Sequence, residues 1–200
     1  MRAIASSRAS EYTRPMGDEE LLKRRSRALS PAYRLFYDEP LHIVRGQGAL
    51  LWDADGREHL DCYNNVASVG HCHPRVVEAL LEQARRLNTH TRYLHENAVR
   101  YAERLVDTLP EGLDVVTFTC TGSEANDLAY RMACAATGTE GVIAVDFAYH
   151  GTTQAVFGFS PEECPADERP GWVATVPAPD SRMPETIHGE HVAAAATGLE

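Results

Sequence analysis

Lysine is almost missing: Lys23 is the only one in 200 residues, and the other formal cations, protonated histidine apart, are arginines. No glycine-rich loop ends in the lysine of a P-loop, and no G-x-G-x-x-G run opens a dinucleotide fold, so nucleoside phosphates are disfavoured as ligands. Positive charge is also short. The formal net charge of −10 argues against nucleic acid as the main partner. No apolar run approaches the roughly 20 residues of a membrane-spanning helix, so no membrane partner is expected. The cysteines at 62, 72, 120, 134 and 164 are odd in number and include no C-x-x-C pair. They read as reduced thiols in a cytoplasmic protein. The length suits one domain with a core of its own, or part of a larger one.

Residues 1–17 are rich in Ser, Arg and Ala and show no hydrophobic period. A mitochondrial transit peptide is conceivable from Arg2, Arg8 and Arg14, but Glu11 and Asp18-Glu19-Glu20 argue against it, and an N-terminal arm is expected. Residues 18–75 are read as a helix over Asp18–Leu29 followed by a small hairpin sheet. Its strands are placed at Leu41–Val44, Ala49–Asp53 and Glu58–Asp61, with turns at Gly46–Gly48 and Asp55-Gly56. The segment Tyr63–Pro74 is dense in groups able to hydrogen-bond a ligand. His71-Cys72-His73 is not expected to bind metal, because adjacent residues rarely converge on one ion and no second ligand pair follows. Pro74 opens a helix to about Leu87. Asn88–His95 carries Arg92 and reads either as a surface loop or as a loop meeting an anion or a second subunit. A helix over Glu96–Leu109 follows.

The chain is organised around Val115–Ala136. Val115–Thr119 is apolar and β-branched, as a buried strand would be. Ala125, Leu128, Ala129, Met132, Ala133 and Ala136 recur at helical spacing. Between them, Thr121-Gly122-Ser123-Glu124 has the form of a capping box, with Thr121 receiving the Glu124 amide and Glu124 reaching back. The amides of Gly122 and Ser123 are then left without partners inside the helix, where its dipole favours an anion. A phosphate held mostly by amides suits such a turn, although Thr-Gly-Ser also serves as a cap alone. Val142–Val145 is a second buried strand, ending in Asp146–Gly151. Strands alternating with helices predict a parallel sheet with ligands at the carboxyl ends of the strands. There Tyr149 or His150 would lie flat on an aromatic ligand whose phosphate rests on Gly122 and Ser123; alternatively Tyr149 merely packs. Ser160–Pro170 reads as a loop, Trp172–Val176 as a strand, and Gly189–Leu199 as a helix.

In this order, G-Q-G-A-L-L-W-D-A-D-G-R-E-H-L-D, G-H-C-H-P-R-V-V-E-A-L, T-G-S-E-A-N-D and A-Y-H-G-T resemble the class III (ω-type) pyridoxal-phosphate aminotransferases of fold type I. The likeness runs from about Leu41 to Pro179. It implies an α/β fold, incomplete here, in which residues 76–200 are the first half of a large cofactor-binding domain. It also implies pyridoxal 5′-phosphate as cofactor. Gly122 and Ser123 match the phosphate-binding pair, flanked by Thr121; Tyr149 matches the ring stacked on the pyridine, followed by His150. Tyr63 and the Asn64–Ala67 segment, with Asn65 and Val66, match the wall near the substrate, and Arg92 lies in a loop suited to a dimer-interface site. The resemblance implies a homodimer at full length, acting on a small amino donor and an oxo acceptor. N-N-V-A-S-V-G-H-C-H-P and L-N-T-H-T-R-Y-L-H-E-N resemble the phospho-lyase branch, which expels phosphate from amino-alcohol phosphates; transamination ranks first and elimination second. The family needs a Schiff-base lysine, and Lys23 is not at that position. The chain therefore reads as an N-terminal fragment with no catalytic residue of its own, inactive alone. A non-catalytic module that binds phosphate or a partner is the third reading. Unpaired strand edges and apolar helix faces would make the isolated chain poorly soluble.

Overall fold

The protein is described by a computed structural model covering residues 16–64, 67–180, 182 and 185–198. The expected N-terminal arm falls almost wholly outside them, as do Asn65 and Val66. The chain divides into two compact units, the first ending at Leu94 and the second beginning at His95.

The first unit starts with α1 (Asp18–Ala28), acidic in its first turn and basic in its last, as the helix dipole prefers. Strands β1 (Ile43–Gln47), β2 (Leu50–Asp53) and β3 (Glu58–Leu60) form an antiparallel sheet in that order. The expected turn at Gly46–Gly48 is displaced: β1 continues through Gly46 and Gln47, and the chain reverses at Gly48-Ala49. Gly46 sits inside the strand for a steric reason. A Cβ there would lie 2.8 Å from Cγ of His71, so the missing side chain makes room for the imidazole. Arg45 lays its guanidinium 3.4 Å from the centre of the Trp52 ring.

Two carboxylates order the turns of this unit. Asp53 accepts the amides of Asp55 and Arg57 at 3.0 and 2.8 Å and pairs with Nε2 of His59 at 2.9 Å. Asp61 accepts the amides of Tyr63 and Asn64 at 3.1 and 2.8 Å and pairs with Nε2 of His71 at 2.6 Å. His71 therefore works as a turn residue. Helix α2 (Pro74–Arg86) opens on its proline and contains no buried residue, leaving Val77, Leu80 and Leu81 exposed.

The second unit contains α3 (Glu96–Val106), α4 (Gly122–Thr137), β4 (Val142–Val145), α5 (Gln154–Gly158), β5 (Val173–Val176) and α6 (Glu185–Thr197). β4 and β5 are parallel, paired from Val142–Val173 to Val145–Val176. Around them Ala144, Val156, Phe159, Cys164 and Val176 are buried, and Tyr130 stacks on Trp172 at 5.4 Å.

One expectation needs correction here. Val115–Thr119 is not a strand. Its β propensity describes side-chain preference, whereas a strand needs a neighbouring backbone, and among the described residues it has none. Val115 stands 87% exposed, and Phe118 stacks on Tyr101 instead. The segment after Gly151 forms a short helix, α5, which no periodicity signalled. The loop expected from Ser160 is present, and within it Ser160 and Cys164 are fully buried.

Candidate active site

The start of α4 is built by its cap. Thr121 is extended (φ −143°, ψ 160°), and its hydroxyl accepts the Glu124 amide at 3.1 Å. Glu124 reaches back one residue further than a capping box requires, accepting the Cys120 amide at 2.9 Å as well as approaching the Thr121 hydroxyl at 3.3 Å. Thr121 is thereby committed to the cap. Gly122 and Ser123, the first residues of the helix, have amides with no acceptor inside it. Nothing lies within 4 Å of where a Gly122 Cβ would be, so approach to these amides is open.

A second loop, following β4, closes onto this turn. The Thr152 amide donates to the Ser123 hydroxyl at 3.1 Å. That bond occupies a lone pair on Oγ and leaves the hydroxyl proton available to an outside acceptor. Gly151 has φ +135°, and a Cβ on it would fall 2.5 Å from Oγ and 2.7 Å from Cα of Ser123. Only glycine fits there, on both counts. Asn126 donates through Nδ2 to the His150 carbonyl at 2.7 Å, and the Thr153 hydroxyl donates to Asp127 at 3.1 Å. The structure thus brings Ser123 and the Tyr149–Gly151 loop together. Tyr149 is 54% exposed. The His150 ring sits beside Phe159, centroids 5.8 Å apart, while its amide donates to the buried Ser160 hydroxyl at 2.7 Å. Two amides without an acceptor in the helix, a hydroxyl proton and the positive end of a four-turn helix form an open cradle of donors, of a kind that suits an anion such as a phosphate.

In the first unit, Tyr63 is exposed, tilts against Phe36 at 4.9 Å and lines a cavity of about 490 Å³ with Phe36, Tyr37, Leu41, His59 and Asn64. Arg92 is exposed in its loop, its amide donating to Nδ1 of His90 at 3.2 Å. Among the described residues no group of three or more His, Cys, Asp and Glu side chains is arranged to hold a metal. No described helix is long and apolar enough to cross a membrane.

A family model for class-III aminotransferases matches residues 35–195. The chain belongs to the class-III aminotransferase family. The family's fold is that of the fold type I pyridoxal-phosphate transferases, and its cofactor is pyridoxal 5′-phosphate. The chain is 44% identical over 165 residues to an alanine–glyoxylate aminotransferase 2-like protein of Drosophila melanogaster, covering 80% of this chain and 33% of the relative. It is 39% identical over 166 residues to ethanolamine-phosphate phospho-lyase homolog 1 of Caenorhabditis elegans, covering 81% and 35%. Among solved structures it resembles an Arthrobacter phospholyase in complex with phosphoethanolamine, with a TM-score of 0.81 and 38% identity over 90% of this chain and 44% of that one. The chain thus spans about a third of the length of these curated relatives.

The cradle suits the family's cofactor. Its donors are amides and a hydroxyl, which suit a phosphate monoester, and the Gly122 side is open to it. When bound, pyridoxal phosphate supplies an electron sink for the bond broken beside the substrate nitrogen. The residues the sequence did not single out are Asn126, Thr152 and Ser160. The glycine at 151 was a visible signal for the close approach, but nothing in the sequence marked Ser160.

Proposed function

We propose that this chain supplies the cofactor-anchoring part of a pyridoxal-phosphate enzyme acting on small primary amines. The observation that carries it is the convergence of the α4 start with the Gly151–Thr152 turn around the Ser123 hydroxyl. In this reading Gly122 and Ser123 hold the phosphate, Thr121 shapes the cap, and Tyr149 offers its exposed ring to the pyridine face. His150 contributes its backbone, since its own ring is engaged with Phe159. Tyr63, Asn65, Val66 and Arg92 are proposed to face the substrate, in a homodimer. The lysine that links covalently to the cofactor is not supplied by this chain, whose one lysine sits exposed on α1. The partners are a small amine and an oxo acceptor, and the site is cytoplasmic.

Transamination is the first reading. Elimination of phosphate from a phosphoethanolamine-like substrate is the second, favoured by the likeness to the Arthrobacter phospholyase. Arg92 is the cation proposed to meet a substrate phosphate. The continuous reading frame containing this chain should be expressed and supplied with pyridoxal phosphate. A visible absorbance band that borohydride fixes covalently supports the enzyme reading, and its absence overturns it. Release of inorganic phosphate from phosphoethanolamine assigns elimination, whereas amino transfer to an oxo acid without it assigns transamination.

A further inference from the structure

The loop that carries Tyr149 is held from two directions by residues outside it. From one side, Ser160 is fully buried, and its hydroxyl accepts both the His150 amide at 2.7 Å and the Gly151 amide at 3.3 Å. Close by, the Glu162 amide donates to the Ala148 carbonyl at 3.2 Å. The peptide groups before and after Tyr149 are therefore both tied to residues 160–162. From the other side, Asn126 donates to the His150 carbonyl at 2.7 Å. Asn126 stands one turn after Ser123 on α4, so the helix that opens with the anion cradle also fixes the loop that bears the ring.

The geometry points to Asn126 and Ser160 as positioning residues that set the bearing of Tyr149 relative to the Ser123 cradle, and so select an aromatic phosphate monoester over a bare anion. This rests on the proposed roles of Gly122, Ser123 and Tyr149. A phosphate alone needs only the cradle. A planar ring bonded to that phosphate gains only if the Tyr149 face lies at a fixed distance and tilt. Removing either tie leaves the cradle donors in place and frees the loop.

The test uses the full chain, unaltered and as Asn126→Ala and Ser160→Ala, with far-ultraviolet circular dichroism to check folding. Asn126→Ala removes the donor to the His150 carbonyl without adding charge beside the cradle. Binding is read by equilibrium dialysis for pyridoxal phosphate and for inorganic phosphate, and by the dichroism induced in the bound pyridine. Each variant should lose about tenfold in pyridoxal-phosphate affinity and most of the induced dichroism, with phosphate affinity held within about twofold. Unchanged pyridoxal-phosphate affinity and dichroism would overturn the inference. So would a parallel fall in both affinities, which would make the two residues general supports of the fold. If Ser160→Ala fails to fold, Asn126→Ala decides alone. If the unaltered chain binds neither compound, the underlying cradle reading has failed and the inference falls with it; if it binds both, only the behaviour of the variants is in question.

Discussion

The two units order their loops by opposite means. In the first, the turns after β2 and β3 are wound around the carboxylates of Asp53 and Asp61, each accepting two backbone amides and pairing with a histidine. In the second, the loop after β4 is fixed by a buried neutral hydroxyl and by a glycine pressed against Ser123. Charge can be switched off by a proton, whereas close packing cannot. The loops after β2 and β3 should therefore answer to pH and the loop after β4 to volume.

The largest expected effect tests volume. Gly151→Ala places a methyl 2.5 Å from the Ser123 hydroxyl at a backbone angle that disfavours side chains. It should cost the second unit about 2 kcal/mol or more and remove phosphate binding altogether, as urea unfolding and dialysis would show. Tolerance of alanine would break the contrast outright.

The next effect tests charge. The Asp53 carboxyl is held below its ordinary value, first by the hydrogen bond from His59, and the Asp61 carboxyl likewise, first by the Asn64 amide. In the unfolded chain both take up protons near pH 4. The stabilisation they give is therefore present above that pH and is lost as pH falls through the lower folded values. The chain has two tryptophans, Trp52 in β2 and Trp172 beside β5, so one reports on each unit. Below about pH 4 the Trp52 fluorescence of a Trp172→Phe variant should change before that of Trp172 in Trp52→Phe. Coincident transitions would contradict the comparison.

A smaller effect sharpens it within the second unit. Thr121→Ala removes the cap acceptor of the Glu124 amide and should destabilise by about 1 kcal/mol, measured by urea unfolding.

The smallest effect lies at the alkaline end. Burial, followed by the hydrogen bond with Cys134, pushes the Tyr130 phenol up to about 12. The unfolded phenol ionises near pH 10, so the stability Tyr130 contributes is intact below that pH and is lost as pH rises toward the folded value. Tyr130 should titrate late in ultraviolet absorbance, and Tyr130→Phe should abolish that late step.

Most helices were legible because their signals are local: Pro74 at a first turn, the acidic start of α1, the Thr121 cap. The hairpins were legible from Asp55-Gly56, though β1 ran past the glycine expected to turn it. That glycine answers to His71, 25 positions away, and such spacing has no local signature. Val115–Thr119 failed for a related reason, since strand propensity says nothing about whether a partner backbone is present. In the site, the Thr121 cap and the amides it leaves open at Gly122 and Ser123 were readable from four consecutive residues. The ties from Asn126 and Ser160 were not, because they depend on where a loop read as polar and irregular folds inward.

That inward fold gives the molecule a clock. Cys164 is 1% exposed, and its amide is bonded to the Ser160 carbonyl at 2.9 Å, while Cys62, Cys72 and Cys120 are open to solvent. An alkylating reagent should therefore mark Cys62, Cys72 and Cys120 first, the half-buried Cys134 more slowly, and Cys164 only when residues 160–164 lift away from the core. The mass of the labelled chain, followed over time, would count those openings directly.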